Sequence, residues 1–272
     1  MRHYTDPDVL SHRKCGFTNN AHRQEFLMQQ EKIPGVLGGM GPEATVDFMS
    51  RLLRINPAAT DQDHLRLLID HNPKIPNRHA AIAGKDSSVG PLLASMAAGL
   101  ERAGADFLVM PCNTAHAFQA AIEQAVLVPF LSMIDMVLQD LKDQHPGVDK
   151  VGVMATDGCL DAKLYQRALE ANDWRSILWN QVERQQFMHA VYRIKSGVLD
   201  QPVRDSLLEL GECLHRRGAD VLIAGCTEIP LIIEPDDFAI PLLSSTDILV
   251  RHTADYALGR QKLPAQLQRS CR

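Results

Sequence analysis

One pattern occurs twice in this chain, and it limits the fold more than any other feature. Gly104-Ala105-Asp106 opens an apolar run, Phe107-Leu108-Val109-Met110, that stops at Pro111-Cys112-Asn113-Thr114-Ala115-His116. Gly218-Ala219-Asp220 opens a second run, Val221-Leu222-Ile223-Ala224, that stops at Gly225-Cys226-Thr227-Glu228-Ile229-Pro230. The glycine-to-cysteine spacing is the same in both. A short apolar run bounded in this way reads as a buried parallel strand. Both thiols are therefore expected where a strand ends and a loop begins. In open α/β sheets that edge is where ligands bind.

The duplication extends beyond the cysteines. Gly35 pairs with Gly152 at an offset of 117, Gly104 with Gly218 at 114, and Pro129-Phe130-Leu131-Ser132 with Pro241-Leu242-Leu243-Ser244 at 112. Gly35 to Gly41 reads as a strand running into a glycine loop, with Pro42 suited to the first turn of a helix over 43–55. A strand over 65–69 ends in a loop stiffened by Pro73 and Pro76. Helices are expected over 92–102, 114–124, 161–172, 185–194, 206–216 and 247–258, and further strands near 126–130, 150–155 and 239–243. Strands alternating with helices predict an α/β fold with parallel sheets. The slow drift of the offsets predicts two pseudo-symmetric, doubly wound parallel-sheet domains with a cleft between them. We expect an N-terminal extension over 1–32, a first domain over 33–130 plus 243–272, and a second over 131–242. The extension includes a short helix near 23–32 and an unpartnered Cys15.

Composition narrows the class. A net charge of −5 gives no support for a nucleic-acid or anionic-membrane surface. No apolar run approaches the roughly 18 residues of a membrane span, and the first residues lack a hydrophobic signal core, which reads as cytoplasmic. Six cysteines in a cytosolic chain of 272 residues suggest reactive or buried thiols, not a disulfide framework.

Two thiols facing one carbon suit a specific reaction. Inverting a carbon that carries a hydrogen needs a base on one face and an acid on the other, each within hydrogen-bond reach. Cysteine has an ordinary pKa of about 8.5, so a thiolate and a thiol can coexist near neutral pH. The scheme calls for no metal and no organic cofactor. The bland readings are a packed Cys112 or a Cys112–Cys226 disulfide. His116 reads equally as an orienting group or a capping residue. Cys159 and Cys213 read as core, and Cys271 as tail. Asp106 and Asp220, just before the strands, read as turn or cap residues. Gly39-Met40-Gly41-Pro42-Glu43-Ala44 fits a dinucleotide fingerprint, but the acidic residue it needs about 20 positions on is poorly placed at Asp70.

Taken together, Leu37-Gly38-Gly39-Met40-Gly41-Pro42, Ile75-Pro76-Asn77-Arg78, the Cys112 segment, Ile194-Lys195-Ser196-Gly197 and the Cys226 segment resemble the aspartate/glutamate racemase family, most of all its aspartate racemase branch. The resemblance covers roughly residues 33 to 258. It implies cofactor-independent racemisation of a small, dicarboxylic amino acid, with Cys112 and Cys226 exchanging the Cα proton. It implies substrate contacts from Met40, Pro76, Asn77, Arg78, Asn113, Thr114, Ala115, Lys195, Thr227 and Glu228, with Arg78 and Lys195 on carboxylates, and a homodimer. Related reactions of similar folds are hydantoin racemisation, arylmalonate decarboxylation and maleate isomerisation. A non-catalytic binding module is a further alternative. Cys159 departs from the family pattern, where a small hydroxyl residue is expected, and the N-terminal extension has no counterpart in it.

Overall fold

A computed structural model describes residues 31–263. The expectations for residues 1–30, Cys15 and Cys271 lie outside the described residues. In chain order the elements are β1 (Pro34–Gly38), α1 (Pro42–Ile55), β2 (Leu68–His71), α2 (Arg78–Ile82), α3 (Val89–Arg102), β3 (Phe107–Val109), α4 (Gln119–Ala125) and α5 (Met133–Gln144). There follow β4 (Lys150–Ala155), α6 (Asp157–Asp161), α7 (Leu164–Glu170), β5 (Arg175–Ile177), α8 (Gln181–Lys195), α9 (Gln201–Arg216), β6 (Val221–Gly225), β7 (Leu242–Ser244) and α10 (Ser245–Ala257).

The strands form two parallel sheets, ordered β2-β1-β3 and β5-β4-β6-β7. A parallel bridge from Leu108 to Phe130 gives the first sheet a rudimentary fourth position. That position matches β7, because Leu222 of β6 is in register with Leu242. The two-domain α/β architecture with parallel sheets is thus present, with helices on both faces of each sheet.

The duplication holds at atomic detail. Asp106 accepts a hydrogen bond from the Ile33 amide at 2.7 Å, and Asp220 accepts one from the Lys150 amide at 2.9 Å. These aspartates fasten each cysteine strand to the start of its neighbour, as turn residues do. Gly35 and Gly152 lie in the first strand of each half, where leucines press against the backbone. A Cβ on Gly35 would stand 2.6 Å from Leu108 Cδ2, and one on Gly152 would stand 2.6 Å from Leu222 Cδ2. Ser132 and Ser244 cap α5 and α10, accepting from the Asp135 and Asp247 amides at 3.3 and 3.2 Å.

The helices after each last strand cross over. Helix α5 follows the first half but packs on α7 of the second, while α10 follows β7 but packs on α1 of the first; α5 and α10 also pack on each other. Arg51 of α1 holds α10 by donating to Asp247 at 2.7 Å, and also donates to the Pro230 carbonyl just beyond Cys226. The largest buried cluster therefore runs through both halves, including Val36, Phe48, Phe107, Val137, Val153, Tyr165, Val221 and Leu249. Each sheet's other face has its own cluster beneath α3 and α4 or beneath α8 and α9.

Several expected boundaries differ. Strand β2 lies at 68–71, three residues later than the apolar spacing suggests, because Leu65 and Leu67 pack on the core from a loop. The helix expected over 114–124 is a 3-10 turn, Thr114–Phe118, followed by α4. The one expected over 161–172 is broken at Lys163, whose backbone is left-handed at φ 54°. Helix α5 and strand β5 have no counterpart among the expected elements. The first is amphipathic, with Met133, Ile134, Val137, Leu138 and Leu141 on one face, a period legible in the sequence, whereas the second is three residues long and carries none. Leu242–Ser244 belongs to the second sheet, so the boundary expected at residue 243 falls inside β7.

Candidate active site

Both cysteines sit at carboxyl ends of equivalent strands. Cys112 follows β3 after Met110-Pro111, and Cys226 follows β6 directly. Both line one small pocket, together with Met40, Arg78, His79, Asn113, Thr114, Thr156, Lys195, Thr227 and Glu228. The first half contributes Met40 through Thr114; the second contributes Thr156 through Glu228. The thiols are free, and their residues are 5 % and 3 % exposed.

The loop after β1 brings Met40 to the pocket. Thr45 shapes it, accepting from the Gly39 amide at 2.8 Å. Gly39 has φ +92°, and a Cβ there would lie 2.4 Å from the Asn72 carbonyl carbon. The space over this glycine is filled by the chain's own Asn72-Pro73, not left open for a pyrophosphate. The dinucleotide alternative loses its cradle.

Arg78 begins α2. Its Nη1 donates to the carbonyls of Ile75 and Pro76 at 3.2 and 3.1 Å, so the proline loop aims the guanidinium. Pro76 and Asn77 are not in the pocket wall. Asn77 caps α2 by accepting from the His79 and Ala80 amides at 2.9 and 3.3 Å. Ala115 is also outside it, buried in the core of the first half beside Cys112.

Two contacts close the pocket between the halves. The Gly158 amide donates to His79 Nδ1 at 2.8 Å, and the hydroxyls of Thr114 and Thr156 share a hydrogen bond at 2.8 Å. Burial, followed by the Arg78 charge, lowers the His79 pKa, so this ring is neutral and accepts. Neither His79 nor Thr156 is among the expected site residues. Thr156 was readable in principle, since it stands where Gly39 stands in the first copy. His79 carries no such signal.

Behind the thiols lies a buried chain of hydrogen bonds. Tyr165 donates to Asn113 Oδ1 at 2.6 Å, Asn113 Nδ2 donates to Ser245 Oγ at 3.0 Å, and Ser245 donates to the Ala224 carbonyl at 2.7 Å. It ties the residue after Cys112 to the strand that ends at Cys226. His116 donates from Nδ1 to the Cys112 carbonyl at 2.9 Å and accepts the Met133 amide on Nε2 at 3.0 Å. It braces the Cys112 loop from behind. Cys159 is fully buried in the shared core, and burial raises its pKa, as an inert packing thiol requires. Cys213 is only partly buried and donates to Glu183 at 3.0 Å, a departure from the core position expected of it.

The second thiol has the more unusual setting. Cys226 Sγ donates to Glu228 Oε2 at 3.0 Å, while Glu228 Oε1 pairs with Lys195 Nζ. Burial, and then the Glu228 carboxylate, raises the Cys226 pKa well above the ordinary thiol value. Lys195, at the end of α8, is pulled down by burial and lifted by Glu228, with a net rise that keeps it charged. Short 3-10 turns, Thr114–Phe118 and Ile229–Leu231, follow the two cysteine loops. Neither cysteine loop opens directly into a full α-helix.

These features agree with what the chain is similar to. The broad-specificity amino-acid racemase RacX of Bacillus subtilis is 25% identical over 84% of this chain and 99% of its own length. The aspartate racemase of Picrophilus torridus superposes with a TM-score of 0.74, at 29% identity, over 83% of this chain and 94% of that one. A glutamate racemase from Francisella tularensis in complex with D-glutamate shares the fold at a TM-score of 0.61 and 18% identity, over 87% and 84% of the two chains. The sequence pattern of the Asp/Glu/Hydantoin racemase family matches residues 37–253, and the chain belongs to that family as an enzyme of the amino-acid racemase type.

Proposed function

We propose that the protein racemises amino acids by exchanging the Cα proton between Cys112 and Cys226. The observation that carries this reading is that equivalent cysteines from two duplicated halves line one pocket. Cys226, which donates to Glu228, is placed to serve as the thiol while Cys112 serves as the base. The Cys112 thiolate takes the Cα hydrogen, and the Cys226 S–H delivers a proton to the opposite face. The products are the inverted amino acid, a Cys112 thiol and a Cys226 thiolate, which run the reaction the other way. Arg78 holds the α-carboxylate and stabilises the charge that develops next to Cα. Asn113, Thr114 and Thr227 supply polar contacts to the amino acid. Met40 lines the apolar side.

Arg78 and Lys195 together support a dicarboxylic substrate, aspartate first. The hold of Glu228 on Lys195, with the likeness to a broad-specificity racemase, favours a second reading with a wider range. The four described cysteines are free, which fits the reducing cytoplasm. Family resemblance supports a homodimer.

The test is incubation with L- and D-amino acids in D₂O, following deuterium at Cα and optical rotation. Racemisation should be lost by at least about 10²- to 10⁴-fold in Cys112→Ala and in Cys226→Ala, the range of one acid–base group. Either variant racemising at a near wild-type rate would refute the two-thiol scheme.

A further inference from the structure

One buried tyrosine touches the neighbours of both thiols. Tyr165, on α7, is fully buried, and burial raises its pKa well above the ordinary phenol value, so the hydroxyl keeps its proton. That hydroxyl donates to Oδ1 of Asn113, the residue after Cys112, at 2.6 Å. The ring lies against Gly225, the residue before Cys226: a Cβ on Gly225 would stand 2.8 Å from Tyr165 Cε2. Only a residue without a side chain lets the ring come this close to the strand.

The hydrogen-bond directions leave one arrangement. Ser245 has a single hydroxyl proton and gives it to the Ala224 carbonyl at 2.7 Å, so towards Asn113 Nδ2, at 3.0 Å, it can only accept. The Asn113 amide therefore turns its nitrogen to Ser245 and its oxygen to Tyr165. The second N–H and the second lone pair of that amide remain for a substrate.

A two-thiol exchange places a demand on distance. Both sulfurs must reach the same Cα, one on each face, and a misplacement of about 1 Å can cost about 10²-fold in rate. Yet each cysteine stands just beyond its strand, outside the ladder, and the two come from different halves. We propose that Tyr165 is a positioning residue that sets the separation of the two thiols, its hydroxyl fixing the Cys112 loop and its ring bearing on the end of the Cys226 strand. The inference rests on the two-thiol reading of the site.

The test is Tyr165→Phe, which keeps the ring and removes the hydroxyl. With whichever amino acid the enzyme turns over, kcat should fall about 10²-fold while KM stays within about threefold of the wild type. In D₂O, chiral separation with mass spectrometry reports the deuterium in each enantiomer. A carbanion that the far thiol cannot reach is reprotonated on the face it left, by the near thiol after its sulfur has exchanged with solvent. The ratio of deuterium in the retained enantiomer to that in the inverted one should rise about tenfold. A variant that merely folds less well lowers both together, and an unchanged ratio would overturn the proposal. Iodoacetamide labelling, mapped by mass spectrometry, needs no turnover. Cys112 should react about fivefold faster in the variant, because its loop has lost an anchor. Partly buried Cys213, outside the pocket, should keep its rate, and fully buried Cys159 should stay unlabelled. Cys112 unchanged relative to Cys213, or Cys159 labelled along with Cys112, would overturn the proposal as well. Absence of Cα exchange in the wild type with any amino acid would sink the racemase reading, and the labelling pattern would still decide whether Tyr165 holds the Cys112 loop.

Discussion

At the residue scale, the clearest chemical commitment outside the pocket is His116. Its ring is locked as a neutral donor–acceptor between the Cys112 carbonyl and the Met133 amide, and burial lowers its pKa to about 4. A histidine lowered from about 6.5 favours the folded state only while it is neutral. Its contribution is complete above pH 6.5 and is lost as the pH falls toward 4, where the unfolded chain binds the proton more readily. The shift corresponds to about 3 kcal/mol. Urea unfolding at pH 7 and pH 4.5 should show a loss of that order, and His116→Gln should flatten this part of the profile. The residue is also instructive about reading sequences. The sequence left it balanced between orienting and capping, since one histidine after Asn113-Thr114 fits both. Its real partner, Met133, is 17 positions away, at the start of α5. Cys112, Cys226, Arg78 and Lys195 were legible because a duplicated frame or a family motif singled them out. His79 and Tyr165 were not, since each reaches the site through a contact between halves that no local pattern records.

At the element scale, the first strand of each half needs a residue without a side chain. Replacing Gly35 by Ala puts a Cβ 2.6 Å from Leu108 Cδ2 and 2.8 Å from Ala105 Cβ; replacing Gly152 puts one 2.6 Å from Leu222 Cδ2 and 3.1 Å from Ala219 Cβ. Both changes overpack a filled layer, which costs about 1–3 kcal/mol. The leucine tips can turn aside, but Ala105 is fixed to the backbone. Gly35→Ala should therefore lower the urea midpoint more than Gly152→Ala. The strands bearing the cysteines were legible for the same reason: fully buried parallel strands read as unbroken apolar runs. Among the edge strands, β5 alone had no expected counterpart, and the strand expected over 126–130 is barely formed. Arg175-Ser176-Ile177 is short and partly polar, and at Phe130 the pairing amounts to a single bridge.

At the scale of the whole molecule, the duplicated sequence foretold two halves, and the helices that follow each last strand, α5 and α10, pack across them. Offsets report likeness, and they carry no information about which copy a helix packs against. Because α5 covers the second half and α10 the first, one core runs through both. A chain cut after Gly147, in the exposed turn before β4, should give two fragments that aggregate when made separately. Co-expressed, they should co-purify as a soluble pair. Two fragments each soluble and folded alone would contradict a shared core.

The crossing also sets an order of events during synthesis. Residues 245–257 emerge from the ribosome after both sheets, yet they seal the half that emerges first. The early half must wait, with α1 uncovered, until the second half has been made, and a deletion that removes only α10 would harm most the domain farthest from it in sequence.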